Sequence, residues 1–267
     1  MIAFAEPETK LVPSYAGRIQ KLTDTISASR LGAWQQCRLK FWFRYVEELP
    51  KPKAPALLLG SAIHSVLQEW NLWRWEEKAT DLNRLEELFR SLWAEAVEEG
   101  GDPEVANLGW SMLDTYIRQS AIPFDEKPEA VEVKIESDLT KHGLPNLVGV
   151  LDLVRPGGRI VDFKTTSRTP DPRTAAHMYQ VQTTCYALLY RENTGEPEGE
   201  IELHHLVKTK KPSVVVVPVK PVEQVQIDRL FRLIDSYAEG LQREDIIPSP
   251  GFQCASCEFF AECQRWS

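Results

Sequence analysis

The chain is predicted to fold as a mixed α/β protein, with a central β-sheet flanked by helices. Three observations predict it. Apolar residues recur at helical spacing through much of the first 120 residues. Between 130 and 165 the pattern changes to alternation, interrupted by Arg155-Pro156-Gly157-Gly158, which is a hairpin turn signal. A long helical pattern, a second alternating pair and a closing helix follow, giving the order helices, three strands, helix, two strands, helix.

Residues 1–25 read as an irregular lead-in. A helix is expected from Ser27, capped by Ser27 or Ser29, with Leu31, Trp34 and Leu39 on one face. It runs through Cys37 to Tyr45. Residues 50–55, rich in proline and lysine, read as a linker. A second helix is expected from about Gly60, carrying Ile63, His64, Leu67 and Trp70 at helical spacing. Two more helices, over 81–99 and 104–120, have acidic outer faces. Residues 65–128 are therefore read as a helical insertion within one domain spanning 1–267. Strands are expected over 130–139, 146–154 and 159–165, then a helix over 174–192. A second hairpin pairs 201–208 with 213–219, and a helix covers 222–243.

Apolar residues make up 43% of the 267, enough to bury a large core. No apolar run approaches the roughly 20 residues that span a bilayer. Residues 1–10 lack a basic segment followed by an apolar one, so a cytoplasmic location is expected. The net charge of −8 disfavours a non-specific DNA coat protein. The acid is local, however. Residues 61–136 hold seventeen Asp/Glu against seven Lys/Arg, whereas residues 1–60 hold five against nine and residues 137–221 nine against eleven. The last two segments, which carry the candidate site, are mildly basic. No G-x-x-x-x-G-K-[ST] occurs, so no built-in helicase motor is expected.

Asp152 lies on one strand of the first hairpin and Asp162-Phe163-Lys164 on the other. With the turn centred on Pro156-Gly157, Asp152 comes opposite position 162, which puts two carboxylates about 5 Å apart on one face. Lys164, two residues beyond Asp162, shares that face. Phosphodiester hydrolysis needs this set. Hard oxygen ligands hold Mg²⁺ or Mn²⁺, the ion lowers the pKa of a bound water, and an ammonium stabilises developing negative charge. A salt-bridged surface hairpin could carry the same residues. Yet Leu151, Leu153, Ile160, Val161 and Phe163 surround them, and a central strand in that context seldom carries Asp and Lys without a task.

Five cysteines stand at 37, 185, 254, 257 and 263. An odd number without a secretory signal argues against a disulfide framework. Cys254, Cys257 and Cys263 form a compact tail group, and Cys37 stands far upstream. Four thiolates suit a [4Fe–4S] cluster or a structural zinc site. Zinc usually takes two C-x₂₋₄-C pairs, so a one-plus-three split is less usual for it. Either would staple the first helix to the tail and close the longest loop in the chain. Cys185 reads as a small buried residue.

Taken together and in order, these motifs resemble the PD-(D/E)xK nuclease superfamily, in its RecB-like and CRISPR-associated type 4-like branch. The resembling text is Gly149-Val-Leu-Asp152-Leu-Val, then Ile160-Val-Asp162-Phe-Lys164-Thr-Thr after the turn. Leu59-Gly60-Ser-Ala-Ile-His64 is similar to the helix that supplies the family's metal-binding histidine. Gln182-Thr-Thr-Cys-Tyr186 is similar to the Q-x-x-x-Y motif on the helix after the lysine strand. The matches span 27–263, with Asp rather than Glu before x-Lys, which the family allows.

The resemblance implies a restriction-endonuclease-like core. It implies Asp152, Asp162 and Lys164 as catalytic residues, and His64, Asp152, Asp162 and the Phe163 carbonyl as ligands of Mg²⁺ or Mn²⁺. Gln182 and Tyr186 would bind substrate, placing a phosphate or a base. Cys37, Cys254, Cys257 and Cys263 would hold a [4Fe–4S] cluster. Glu132 on the preceding strand is assigned no ligand role.

The implied activity is that of a DNA exonuclease acting on ends or single strands in recombination, repair or CRISPR adaptation, with a protein partner in such a complex. A second reading is a non-catalytic DNA-end-binding subunit of a recombination complex. Trp70, Trp73, Trp75 and Trp93 could stack on bases, although helix-spaced tryptophans are more often core. Arg168, Arg173, Lys208, Lys210 and Lys211 are candidate phosphate contacts, although solvated tips are commoner.

Overall fold

The structure, a computed structural model, describes residues 15–51, 53–120 and 122–266. It has the expected fold class, a six-stranded mixed sheet with helices on both faces. The elements are α1 (Ala16–Asp24), β1 (Thr25–Ser27), α2 (Ala28–Gln36), α3 (Arg38–Phe41) running into a π-turn over Trp42–Val46, and α4 (Pro55–Trp75). Then come α5 (Leu82–Glu98), α6 (Ala106–Gln119), β2 (Ala130–Ser137), β3 (Asn146–Arg155) and β4 (Arg159–Thr166). The chain closes with α7 (Pro172–Met178), α8 (Gln180–Thr194), β5 (Glu200–Val207), β6 (Ser213–Val219), α9 (Gln224–Gln242) and α10 (Phe260–Cys263). No helix among the described residues is long and apolar enough to cross a membrane.

Four expectations are corrected. The lead-in expected over 1–14 lies outside the described residues, but its remainder is ordered as α1 and β1. Leu22 of α1 and Ile26 of β1 are buried, so these short elements are fixed by packing rather than by a long periodic pattern. The helix expected from Ser27 to Tyr45 is broken at Cys37, whose backbone is extended (φ −168, ψ 115). Ser27 does cap α2, accepting the Arg30 N–H at 3.4 Å. The helix expected from Gly60 begins at Pro55, which occupies the first turn, where its missing N–H has no partner to lose. The helix expected over 174–192 is split at Tyr179 into α7 and α8.

The sheet topology makes the site. β3 pairs antiparallel with β2 along nearly its whole length. On its other edge, β1 runs parallel to Asn146–Val148, whereas β4 pairs only with Leu153–Arg155. The edge of β3 between residues 149 and 152 thus has no ladder partner, and β3 and β4 fork apart at Asp152. β5 continues the sheet parallel to β4, and β6 closes it antiparallel to β5.

Helices α4, α5 and α6 bury Ile63, Leu67, Trp70, Phe89, Trp93 and Tyr116 over Leu153, Val161, Phe163 and Leu206 on one face. The other helices cover the opposite face, where Trp34, Tyr186, Leu189 and Tyr237 meet Leu151, Ile160 and Leu203. Trp70, Trp73 and Trp93 are therefore core, and only Trp75 of the four is exposed. Gly149 allows α8 to approach β3: a Cβ there would stand 2.7 Å from Leu189 Cδ1. Gly157 and Gly158 supply the positive φ that the three-residue hairpin loop requires.

Candidate active site

The fork gathers residues from β3, β4, α4 and α8. Asp152 ends the unpaired stretch of β3 and is almost wholly buried. Asp162 and Lys164 alternate along β4, as its period of two demands. The ladder from Leu153↔Val161 would, if continued, bring Asp152 opposite Asp162. Instead the strands part, and Asp152 Oδ2 accepts the freed Phe163 N–H at 2.9 Å. The freed Phe163 carbonyl is met by His64 Nε2 at 2.8 Å. His64 reaches it from α4, with Nδ1 3.4 Å from Asp152 Oδ2. The α4 backbone comes close because Gly60 packs on Thr165 with no side chain in between.

Gln182 and Tyr186, one turn apart on α8, close the site from the other face. Gln182 Nε2 donates to Asp162 Oδ1 at 3.1 Å and to the Tyr186 hydroxyl at 2.6 Å, and the Tyr186 hydroxyl donates to Asp162 Oδ1 at 3.0 Å. Gln182 Oε1 accepts the Lys164 ammonium at 2.9 Å. That ammonium also lies 2.5 Å from Asp162 Oδ2 and 4.8 Å from the centre of the Tyr179 ring. The structure thus places both polar groups of the Q-x-x-x-Y pair on the Asp162–Lys164 cluster. Gln182 also walls the groove outside it.

The electrostatics follow from burial. Asp152 is pushed up to about 8, first by loss of solvation and then by the Asp162 carboxylate, with the Phe163 N–H opposing. Burial also lowers the pKa of His64, leaving its imidazole neutral at pH 7, as a ligand nitrogen must be.

The donor set fits a divalent cation. Asp162 Oδ1 is saturated by two donors, whereas the buried Oδ2 accepts no hydrogen bond and has only the ammonium beside it. A buried carboxylate oxygen with only an ammonium beside it, a second buried carboxyl, a neutral imidazole and a main-chain carbonyl are the hard and borderline ligands that Mg²⁺ or Mn²⁺ accepts. His64 Nε2 and the Phe163 oxygen share a hydrogen bond at 2.8 Å, so both would be available to one ion. Among the described residues, no three His, Cys, Asp or Glu side chains are already gathered as a metal site.

Two further residues join the site: Glu132, assigned no ligand role from the sequence, and His205, not singled out there. Glu132 has a left-handed backbone (φ 47), and the β2–β3 ladder skips it opposite Asp152. Partial burial raises its carboxyl pKa and the nearby His64 lowers it, so it belongs to the same charge cluster. His205 stands opposite Lys164 on β5, buried, with both ring nitrogens unpaired. Burial and the lysine keep it neutral. Periodicity marks neither residue, because both sit in otherwise ordinary strand patterns.

The three tail thiols and Cys37 come together at the break between α2 and α3. Cys37, Cys254, Cys257 and Cys263 line one small apolar cavity of about 40 Å³ with Phe43, Phe259 and Phe260. The Ser249 N–H points to Cys37 Sγ and the Gly251 N–H to Cys254 Sγ, each at 3.4 Å. Burial and the other three sulfurs raise the Cys263 thiol. Four sulfurs in an apolar pocket, two of them with N–H donors, suit a metal or cluster held by thiolates. Cys185 is buried elsewhere, and burial lifts it to about 12. Among the phosphate candidates, Lys208 is half-buried and walls a groove of about 340 Å³ with Thr165–Arg168, whereas Arg173, Lys210 and Lys211 are solvated.

The PD-(D/E)XK nuclease superfamily is matched over residues 25–264. A crystal structure described as a "putative exonuclease" from Eubacterium rectale superposes with a TM-score of 0.62 at 14% identity, covering 93% of this chain and 92% of that one. That likeness is one of fold. A second structure, SSO0001, gives a TM-score of 0.42 at 14% identity over 92% of each chain, too distant to inform the fold. No curated protein matches the chain.

Proposed function

The chain belongs to the PD-(D/E)XK nuclease superfamily, and from that premise we propose that it is a metal-dependent deoxyribonuclease acting on DNA ends or single strands. The observation that carries the reading is the division of labour on Asp162: one oxygen fixed by Gln182 and Tyr186, the other left without a hydrogen bond beside Lys164. His64, Asp152, Asp162 and the Phe163 carbonyl would hold Mg²⁺ or Mn²⁺. Such an ion supplies Lewis acidity toward the phosphate and lowers the pKa of a bound water.

The chain's own residues do the rest. Lys164, bridged between Gln182 and Asp162, presents an ammonium that orients the attacking water and offsets charge on the phosphate. The Phe163 N–H fixes the Asp152 carboxyl, and Tyr186 fixes that of Asp162. The unpaired edge of β3 at 149–152 leaves a groove of about 340 Å³ open beside Asp152, through which a strand can reach the cluster.

The four cysteines would hold a [4Fe–4S] cluster that ties the α2–α3 break to the tail, placing the chain in the RecB-like, iron–sulfur branch. Recombination, repair and CRISPR adaptation are the processes such a nuclease would serve, with a partner protein delivering the DNA.

End-labelled DNA incubated with the protein and Mn²⁺, beside a Lys164→Ala variant, tests the reading. Degradation by the parent alone is expected. Equal degradation by both would sink the mechanism. Chelator-insensitive DNA binding with no cleavage under any metal would favour the end-binding alternative.

A further inference from the structure

A cavity of about 660 Å³ opens between α1, α2 and the π-turn, away from the carboxylate–lysine fork. Arg18, Lys21, Arg30, Arg44 and Tyr45 line it, and Glu48 is the acid on its wall. Two of the four cations are already engaged. Arg18 donates to the Val46 carbonyl and pairs with Glu48 at 3.1 Å, and Arg44 pairs with Glu258. The other two are not. Among the described residues, neither Lys21 nor Arg30 has a carboxylate within ion-pair distance. Arg30 is half-buried and gives one N–H to the Thr25 carbonyl at 2.6 Å. A half-buried guanidinium without a counter-charge, in a concave basic wall, is stabilised by an anion, and a planar fork of donors suits phosphate oxygens.

The position of this cavity gives it a partner. The groove beside Asp152 and a second groove of about 460 Å³ past Gln182 share Ala28 and Ser29 at the start of α2. Arg30, the next residue, lines the basic cavity. A strand leaving the fork over Ser27–Ser29 is therefore one residue away from Arg30, which shares the basic cavity with Lys21. The basic excess of residues 1–60 also finds its place here, since four of their nine Lys/Arg converge on this cavity.

We propose that this cavity is a second nucleic-acid site, which grips the phosphodiester backbone of the strand outside the fork. The proposal takes the identity of its ligand from the nuclease reading, but the grip itself needs neither the metal nor Lys164. Binding of labelled oligothymidylates of increasing length to the Lys164→Ala protein in EDTA isolates it from cleavage.

Gly17 offers a clean perturbation. It lines the cavity in the first turn of α1, and a Cβ there would meet nothing within 4 Å. Gly17→Glu sets a carboxylate at the cavity, with Gly17→Gln as its neutral counterpart. Both replace a helical glycine with a better helix former. For long oligonucleotides, Gly17→Glu and Lys21→Ala are expected to bind about tenfold more weakly, with a log–log salt slope shallower by about 0.7 for each phosphate that is no longer neutralised. Gly17→Gln should bind as the parent does. In the active protein, cleavage of oligonucleotides too short to leave the fork should be unchanged.

Equal affinity of Gly17→Glu and Gly17→Gln for long oligonucleotides would overturn the proposal. So would pyrophosphate binding that Gly17→Glu abolishes while oligonucleotide binding stays intact, because the cavity would then serve a free phosphate ligand. A protein that binds with the expected length dependence but cleaves nothing would remove the nuclease reading and leave this site standing.

Discussion

The side-chain oxygen of Gln182 lies 2.9 Å from the Lys164 ammonium, and its nitrogen lies 3.1 Å from Asp162 Oδ1. One amide thus sets the separation between the lysine and the carboxylate. Without it, the ammonium would be left to its ion pair with Asp162 Oδ2, and it would neutralise the oxygen left for the cation. Gln182→Ala is expected to lower kcat by about 10- to 100-fold and to raise the Mn²⁺ concentration needed for half-maximal rate. KM for DNA should change little. Steady-state kinetics across a metal titration reads both effects, and an unchanged metal dependence would remove Gln182 from a positioning role.

Asp152 makes metal binding and stability depend on pH in opposite senses. Its carboxyl titrates at about 8 in the folded, metal-free protein against an ordinary 3.8. Between these values the folded state holds a proton that the unfolded chain has lost, so this residue's contribution to stability falls as pH rises and levels off above 8. Asp152→Asn removes that loss. Its Tm should exceed the parent's at pH 8 and match it near pH 3, in metal-free buffer. A cation must displace the same proton, so affinity should rise up to about tenfold per pH unit below 8. Calorimetry in buffers of different ionisation enthalpy should show close to one proton released per ion at pH 7. Release of none would mean that Asp152 is already ionised.

Glu132 gives a third test. Its left-handed backbone is unusual for a residue with a Cβ and is held by the β2–β3 ladder on either side. Strain of this kind, set beside Asp152 and His64, commonly accompanies a functional carboxylate. Glu132→Gln keeps the shape, so stability should stay within about 0.5 kcal/mol of the parent. Metal affinity and rate should both fall about tenfold. Equal Mn²⁺ affinity, measured by calorimetry, would confine Glu132 to shaping the strand.

The alternation of Ile160, Asp162 and Lys164, the Pro156-Gly157-Gly158 turn and the helical spacing of Gln182 and Tyr186 made the hairpin and its covering helix legible in the sequence, because each is a local pattern. What was hidden depends on contacts distant in sequence. β1 is three residues long and is strand only because β3 pairs with it. Cys37 breaks its helix where the thiol meets the tail, and no residue nearby in sequence announces a break. The fork at Asp152 was unreadable too, since sequence alternation extends the β3–β4 ladder past the point where the strands part. That parting is what frees the Phe163 N–H and carbonyl for Asp152 and His64.

Gly149 tests how tightly the covering helix must lie. A Cβ at this position would come within 2.7 Å of Leu189 Cδ1 and 3.9 Å of the Tyr186 ring. Leu189 is fully buried, so it has little room to yield. Gly149→Ala should cost about 1–3 kcal/mol by overpacking. Because α8 carries Gln182 and Tyr186, activity should fall further than the folded fraction does. Denaturant unfolding and specific activity on the same sample separate the two, and a variant as stable as the parent would show that α8 is free to shift.

The cysteines lend themselves to an optical test. Protein purified without oxygen should be brown and should lose its visible absorption in Cys37→Ser and Cys263→Ser. Cys185→Ala should keep it, since Cys185 is buried apart from the cavity that the other four line. Cys37 and Cys254 bound the longest loop in the chain. Removing a cross-link of that span costs about 5 kcal/mol if unfolded-chain entropy alone is counted. The bleached variants should therefore unfold at markedly lower temperature, whereas Cys185→Ala should lose only the packing of a small side chain. Colourless parent protein carrying one zinc would keep the staple but exchange its metal. Colourless, metal-free protein as stable as its cysteine variants would leave the four thiols with no shared task.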